Sequence, residues 1–431
     1  MSNLKNNLIS HSSVFLEKIL IQIFFPLLML TLWGKDNFNL WVFLFAIPSF
    51  LSMFQLSISL PARNEMAILY KNKKFKSLND VYQNSIFILL INIFIILAIF
   101  TLYIFYNFNN PIIYENINVI LIILISSLIS LYCKGPLYLA LTYKGSYKIY
   151  NYFDIIFNVA VAILVPISFY FTKNFKDVFY VLLVLSVLKL LIIYFLIEDH
   201  NIKKFLNFKY LNKKQLKKII KYSLGFNFEQ IALLIKGPGL IFLMGMSNNL
   251  ALVGLITTLR TMFLYFPHRA YGILFNTFLI EIIRFYKNNK YEKKFKSYYV
   301  KGLLLILFSL LLFFLFSYFF GIYIYEFWLR GEFTTSTELI ILIVLDTIFL
   351  IFGKFLTLPL QTINKFNYIG FFDMIVNLSI YILLFYLSIF DDIILVFKVI
   401  LIGSLINLVL RTITYFYFLK KLKLFQFINI S

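Results

Sequence analysis

About twelve apolar stretches alternate with short polar loops along this 431-residue chain, and each is long enough to cross a bilayer as a helix. A hydrocarbon core needs ~20 apolar residues per helical crossing. The stretches run at about 14–33, 38–60, 81–105, 117–141, 150–171, 177–197, 224–246, 250–280, 300–325, 339–360, 368–390 and 393–419. With 61% hydrophobic residues and a mean hydropathy of +0.87, the chain has the composition of a polytopic membrane protein, not of a soluble core. In lipid every backbone group must be paired within its own segment, so the expected fold class is all-α, with about twelve membrane helices.

Charge fixes the expected orientation. Lys and Arg gather on every second loop: Arg63, Lys71, Lys73, Lys74 and Lys76 after the second stretch, Lys203 to Lys221 after the sixth, Arg284 to Lys301 after the eighth, and Lys420, Lys421 and Lys423 at the end. The intervening loops carry only Lys35, Lys173, Lys176 and Arg330. Basic loops stay cytoplasmic, so both termini are expected in the cytoplasm. The net charge of +21 then reflects topology and affinity for anionic headgroups. Nucleic-acid binding has no support, because the Lys runs flank membrane helices. Residues 1–13 are polar and lack a signal-peptide core, so the first helix is expected to be retained. The single cysteine, Cys133, excludes an intrachain disulfide.

The chain reads as two related halves. Phe153-Asp154-Ile155-Ile156-Phe157-Asn158 opens the fifth stretch, and Phe372-Asp373-Met374-Ile375-Val376-Asn377 opens the eleventh. Pro136-Leu137 and Pro359-Leu360 close the fourth and tenth; Pro26 pairs with Pro238, and Pro61-Ala62-Arg63 with Pro267-His268-Arg269. The offsets lie between 206 and 223 residues. The expected organisation is a six-helix lobe at 1–200, a Lys-rich cytoplasmic linker at 201–221 and a second six-helix lobe at 222–431, as parallel repeats that rock about a central cavity.

Ionisable residues inside apolar stretches are the candidate functional residues. A charge at the bilayer centre costs at least ~2.5–3.5 kcal/mol, so such groups face protein or water. The basic set is Lys134, Lys189, Lys236, Arg260, Arg269 and Lys354; the acidic set is Asp154, Glu229 and Asp346. Asp154 and Asp373 lie about one turn from cytoplasmic ends and are expected to serve helix starts. Glu229 and Lys236 are seven apart and share a face of a straight helix. Arg260 and Arg269 are nine apart and would point to opposite faces, unless Pro267 kinks the helix. Six cations against three anions make an electropositive interior, which selects phosphate or carboxylate groups. Lys236, Arg260 and Arg269 are the leading candidates to meet an anionic headgroup. Lys134, Lys189 and Lys354 are supporting cavity cations, and Glu229 and Asp346 are candidates for ion coupling.

Several chemistries are absent. Lys236-Gly237-Pro238-Gly239 lacks the residues of a phosphate-binding loop. His11, His200 and His268 are scattered and form no metal site. No cofactor is implied, and no outer loop is long enough for a catalytic domain, so the chain is not read as an enzyme.

Over nearly its whole length the chain resembles the polysaccharide, or O-antigen, flippase branch of the multidrug/oligosaccharidyl-lipid/polysaccharide exporter superfamily, whose fold is MATE-like. The resemblance rests on the twelve helices, the duplicated halves, Leu252-Val253-Gly254, Glu326-Phe327-Trp328-Leu329-Arg330-Gly331 and Pro359-Leu360-Gln361-Thr362-Ile363-Asn364-Lys365. It implies a lipid-linked oligosaccharide as substrate, carried on undecaprenyl diphosphate, with the bilayer and other polysaccharide-assembly membrane proteins as partners. An exporter of a drug or metabolite is the alternative, and a polysaccharide polymerase a weaker one. With no ATP site, the drive is expected from the membrane potential acting on the anionic cargo, or from an ion exchanged at Glu229.

Overall fold

The structure is a computed structural model that describes residues 2–51, 58–106, 111–142, 148–172, 174–197, 207, 210–246, 250–272, 274–275, 292–362, 367–387 and 392–421. Among these residues the regular structure is helical throughout. Among the described residues ten helices are long and apolar enough to cross a membrane, and they coincide with the last ten of the twelve stretches. The first stretch and the larger part of the second fall on α1 (Ser2–Leu51), whose backbone breaks at Gly34 (φ 78°, ψ 169°). No atom would obstruct a Cβ there, so the backbone angle, open essentially to glycine alone, is what requires that residue.

The chain divides into two compact units, residues 1–242 and 243–431. The first holds α1, α2 (Ser59–Lys71), α3 (Phe75–Tyr106), α4 (Pro111–Glu115), α5 (Ile117–Tyr132), α6 (Tyr138–Thr142), α7 (Lys148–Thr172), α8 (Phe175–Phe195) and α9 (Lys213–Leu234). It also holds the start of α10 (Leu240–Met246). Helix α7 packs against α1 and α8, and α8 against α5. One core cluster joins Ala62, Met66, Val81, Tyr82, Leu137 and Ile193, all buried. A second is aromatic: Trp41 stacks on Phe179 and meets Trp33 edge-on, while Trp33 Nε1 donates to the Pro166 carbonyl at 3.2 Å. Tight closure of α2 by Lys73, at φ 56°, with Lys74 N–H reaching the Leu69 carbonyl, turns the chain directly into α3.

The second unit holds α11 (Leu250–Arg260), α12 (266–272), α13 (Glu292–Trp328), α14 (Thr337–Thr362), α15 (Asn367–Leu387) and α16 (Ile393–Lys421). Helix α14 is its centre and packs against α13 and α16; α15 packs on α16. Gly403 sets the α15–α16 approach, because a Cβ there would collide with Ile380. By contrast α13 presents Leu304, Phe308, Leu312, Phe316, Phe319 and Tyr323 outward. Exposed apolar faces of this kind run along most spans and suit a hydrocarbon solvent.

Among the described residues three spans contain a widened, π-helical turn: Cys133–Leu137 after α5, Ile235–Gly239 after α9 and Thr261–Tyr265 after α11. The first two share the sequence Lys-Gly-Pro. Proline lacks an N–H and clashes with the preceding turn, so the ladder opens at both. In the third, the buried Thr347 hydroxyl of α14 donates to the Phe263 carbonyl at 2.8 Å and serves a backbone group within the widened turn.

Candidate functional site

In the first unit, α7 carries Asp154 and Asn158 one turn apart, and α8 carries Ser186 and Lys189 on a facing stripe. Lys189 Nζ lies 2.5 Å from Asp154 Oδ1, and both residues are buried. Asn158 Nδ2 reaches the other carboxylate oxygen at 3.4 Å. The pair adjoins a cavity of about 210 Å³, and Lys189, Asn158 and Ser186 form part of its wall. Helix α5 contributes Ser126, Ser127 and Ser130, while Phe45 and Phe157 close the apolar side. The Ser186 hydroxyl donates to the Leu182 carbonyl at 2.9 Å, the usual arrangement for serine in a helix. Ser126 is buried, and its hydroxyl has no hydrogen-bond partner. The site is thus hydroxyl-rich and close to electroneutral.

In the second unit, the corresponding acid of the repeated segment, Asp373 on α15, meets Arg411 on α16. Arg411 Nε donates to Asp373 Oδ1 at 3.0 Å and Nη2 donates to Oδ2, a two-pronged pair that is buried on both sides. Gly353 of α14 makes room for it: a Cβ there would stand 3.0 Å from Arg411 Cδ. Two turns away on the same faces, Ser404 of α16 donates to the buried Asp346 of α14.

These pairs correct two expectations. Asp154 and Asp373 are not helix-start residues; each lies about two turns inside its helix, too deep to serve the first-turn N–H groups, and each takes a cation from the next helix. Lys189 does line a cavity, but Asp154 largely cancels its charge there. Arg411 was not among the singled-out cations although it lies in an apolar stretch; the signal was its offset of 222 from Lys189, inside the range of the other repeats.

The remaining candidates are distributed as follows. Lys134 is exposed and Lys236 half-buried, each in a Lys-Gly-Pro turn of the first unit. The turn that begins at Ile235 lies between Glu229, half-buried, and Lys236, so their seven-residue spacing is no longer that of a straight helix. In the second unit Arg260 is 2% exposed, with its guanidinium 5.5 Å from the Tyr265 ring centre. Arg269 is half-buried on α12, and the widened turn between it and Arg260 removes the opposite-face expectation of a straight helix. Lys354 is half-buried on α14 beside Gly353. Adding Arg411 and Asp373 to the count gives seven cations and four anions, so the cationic excess of three is unchanged. Among the described residues no group of three or more His, Cys, Asp or Glu side chains could hold a metal ion.

No protein-family model matches the chain, and no curated protein matches it by sequence. Solved structures do match. The inward-facing conformation of a multidrug-resistance MATE-family transporter of the MOP superfamily superposes with a TM-score of 0.62 at 12% identity, covering 96% of each chain. The lipid II flippase MurJ, in an inward closed conformation, gives 0.63 at 16% identity over 94% of this chain and 86% of its own. A MOP-superfamily transporter from Pyrococcus furiosus, with a binding pocket of reverse polarity that suggests a different function, gives 0.56 at 13% identity over 96% of each chain. At these identities the likeness is one of fold: the chain is an all-helical membrane protein folded as MATE and MOP-superfamily transporters are.

Proposed function

We propose that this chain is a flippase that moves an undecaprenyl-diphosphate-linked oligosaccharide from the cytoplasmic to the periplasmic leaflet of a bacterial inner membrane, for surface-polysaccharide assembly. The observation that carries the reading is the cationic excess within the spans of a MOP-like fold, an excess that the Asp154–Lys189 and Asp373–Arg411 pairs leave intact. A MATE-like fold built for organic cations would want the reverse sign; a diphosphate wants this one. The likeness to a lipid II flippase supports a lipid-linked cargo, and the reverse-polarity relative shows that this fold hosts more than one pocket chemistry.

In this reading both termini are cytoplasmic, and lobes at 1–200 and 222–431, joined by the linker 201–221, alternate access to the cargo. Lys236, Arg260 and Arg269 meet the diphosphate, with Lys134 and Lys354 adding to the field. Lys189 leaves this set because its charge is balanced. Membrane potential supplies drive: with the cell interior negative, outward movement of anionic cargo gains about 2.3 kcal/mol per charge at ~100 mV. Glu229 and Asp346 are the candidates should an ion exchange instead. No catalytic step and no cofactor are involved; other membrane proteins of polysaccharide assembly are the expected partners.

The test is genetic. Deletion of the gene in its host should stop surface glycan and accumulate the diphosphate-linked intermediate. Wild-type chain should restore export, and Lys236→Ala and Arg260→Ala at normal membrane levels should not. Unchanged surface glycan after deletion, together with sensitivity to organic-cation drugs, would replace this reading with the drug-exporter one.

A further inference from the structure

We propose that the cavity between α5, α7 and α8 of the first unit is a seat for a single neutral sugar ring of the cargo; this rests on the glycolipid reading above. Size comes first. About 210 Å³ is room for a ligand of hexose size, at ~30 Å³ for each water displaced. It falls below the ~300–1,000 Å³ of sites for drug-sized molecules.

Charge comes second. Among the described residues of the wall the cation is Lys189, held 2.5 Å from Asp154. A cation entering the cavity would meet that ammonium, and an anion would be desolvated against a charge that Asp154 already balances. A neutral polyol meets neither penalty and can still bond to the polarised groups.

Third is the layout of the wall. Ser126 and Ser130 are four apart on α5 and share a face, with Ser127 beside them. Asn158 and Ser186 supply polar groups from the other two helices. Phe45 and Phe157 add apolar surface to the wall, on which the C–H face of a pyranose can lie while its hydroxyls bond to the polar groups. Ser126 is the group that points to a ligand. It is 4% exposed, and its hydroxyl lacks the carbonyl bond that Ser186 makes on the neighbouring helix. A buried hydroxyl without a partner is unfavourable, and a small rotation toward a sugar hydroxyl in the adjoining cavity would complete it.

The experiment is saturation-transfer NMR on the full-length protein in nanodiscs. The probes are glucose, galactose, N-acetylglucosamine, glucuronate, glucose-1-phosphate and a fluoroquinolone. At least one neutral sugar should receive saturation, and the anionic sugars and the drug should not. Ser126→Leu, which fills the cavity, should abolish the signal at least tenfold. Ser126→Ala, which keeps the volume open, should weaken it severalfold with an unchanged melting temperature. Absence of any neutral-sugar signal, or a signal unchanged in Ser126→Leu, overturns the seat. Glycolipid export measured on the same variants separates the two proposals. Export that persists in Ser126→Leu refutes the seat and leaves the flippase standing. Sugar binding by a protein that exports no glycolipid refutes the flippase reading, and with it the seat as a cargo subsite.

Discussion

Asp154 and Asp373 stand at the same point of a repeated segment, and the two units treat them differently. In the first, the partner is a lysine and the pair borders a cavity lined with serines. In the second, the partner is an arginine whose planar fork takes both carboxylate oxygens, in a dry setting where Gly353 lets the guanidinium approach. An ammonium is a point charge with three donors, so one close ion pair does not exhaust it; a forked guanidinium is committed geometrically. In a chain where 34 of the 40 basic residues are lysine, the arginine at 411 is the marked choice. The same acid therefore anchors a ligand-facing wall in one unit and a structural clamp in the other.

The comparison breaks most directly at Arg411. Arg411→Met strands a buried carboxylate, so the second unit should lose ~3–5 kcal/mol, read as a lowered melting temperature in detergent; Arg411→Lys should recover little, because it cannot span both oxygens. Gly353→Ala should cost about 1–3 kcal/mol, since the new methyl presses on Arg411 where it reaches Asp373. Lys189→Met should cost less than Arg411→Met, about 1–2 kcal/mol, because Lys189 itself borders a cavity and pairs near water are worth less than dry ones. If Lys189→Met proves the more damaging of the two, the division into wall and clamp is wrong. Smallest is Thr347→Val, which removes the bond to the Phe263 carbonyl and should cost about 1 kcal/mol, with any effect confined to stability.

The spans were legible because hydropathy needs no partner: ten of the stretches return as helices with ends shifted by a few residues. The Gly34 break and the exposed face of α13 follow from the same local rules. The pairings were not legible, since Lys189 is 35 residues from Asp154 and Arg411 is 38 from Asp373, and only packing of successive helices brings them together. Taken alone, Asp154 and Asp373 looked like helix starts, because the sequence does not state where a helix begins to within a turn. The serine wall leaves only a weak trace, Ser126-Ser127 and Ser130 within an otherwise apolar run, because uncharged hydroxyls barely lower its hydropathy. So do the twin Lys-Gly-Pro segments, whose second copy was weighed only against a phosphate-binding loop and rejected as one. Their common consequence, a widened turn directly at Lys134 and Lys236, emerges only from the backbone.

The most direct test of the anionic-cargo account uses purified protein in liposomes that contain a fluorescent undecaprenyl-diphosphate oligosaccharide, the label on the glycan. Dithionite added outside quenches the label that has reached the outer leaflet. The wild-type chain should speed the exchange, the rate should rise when a potassium gradient makes the interior negative, and Lys236→Ala with Arg260→Ala should abolish the exchange. Folded wild-type protein that leaves the inner-leaflet label protected at every potential would contradict the account.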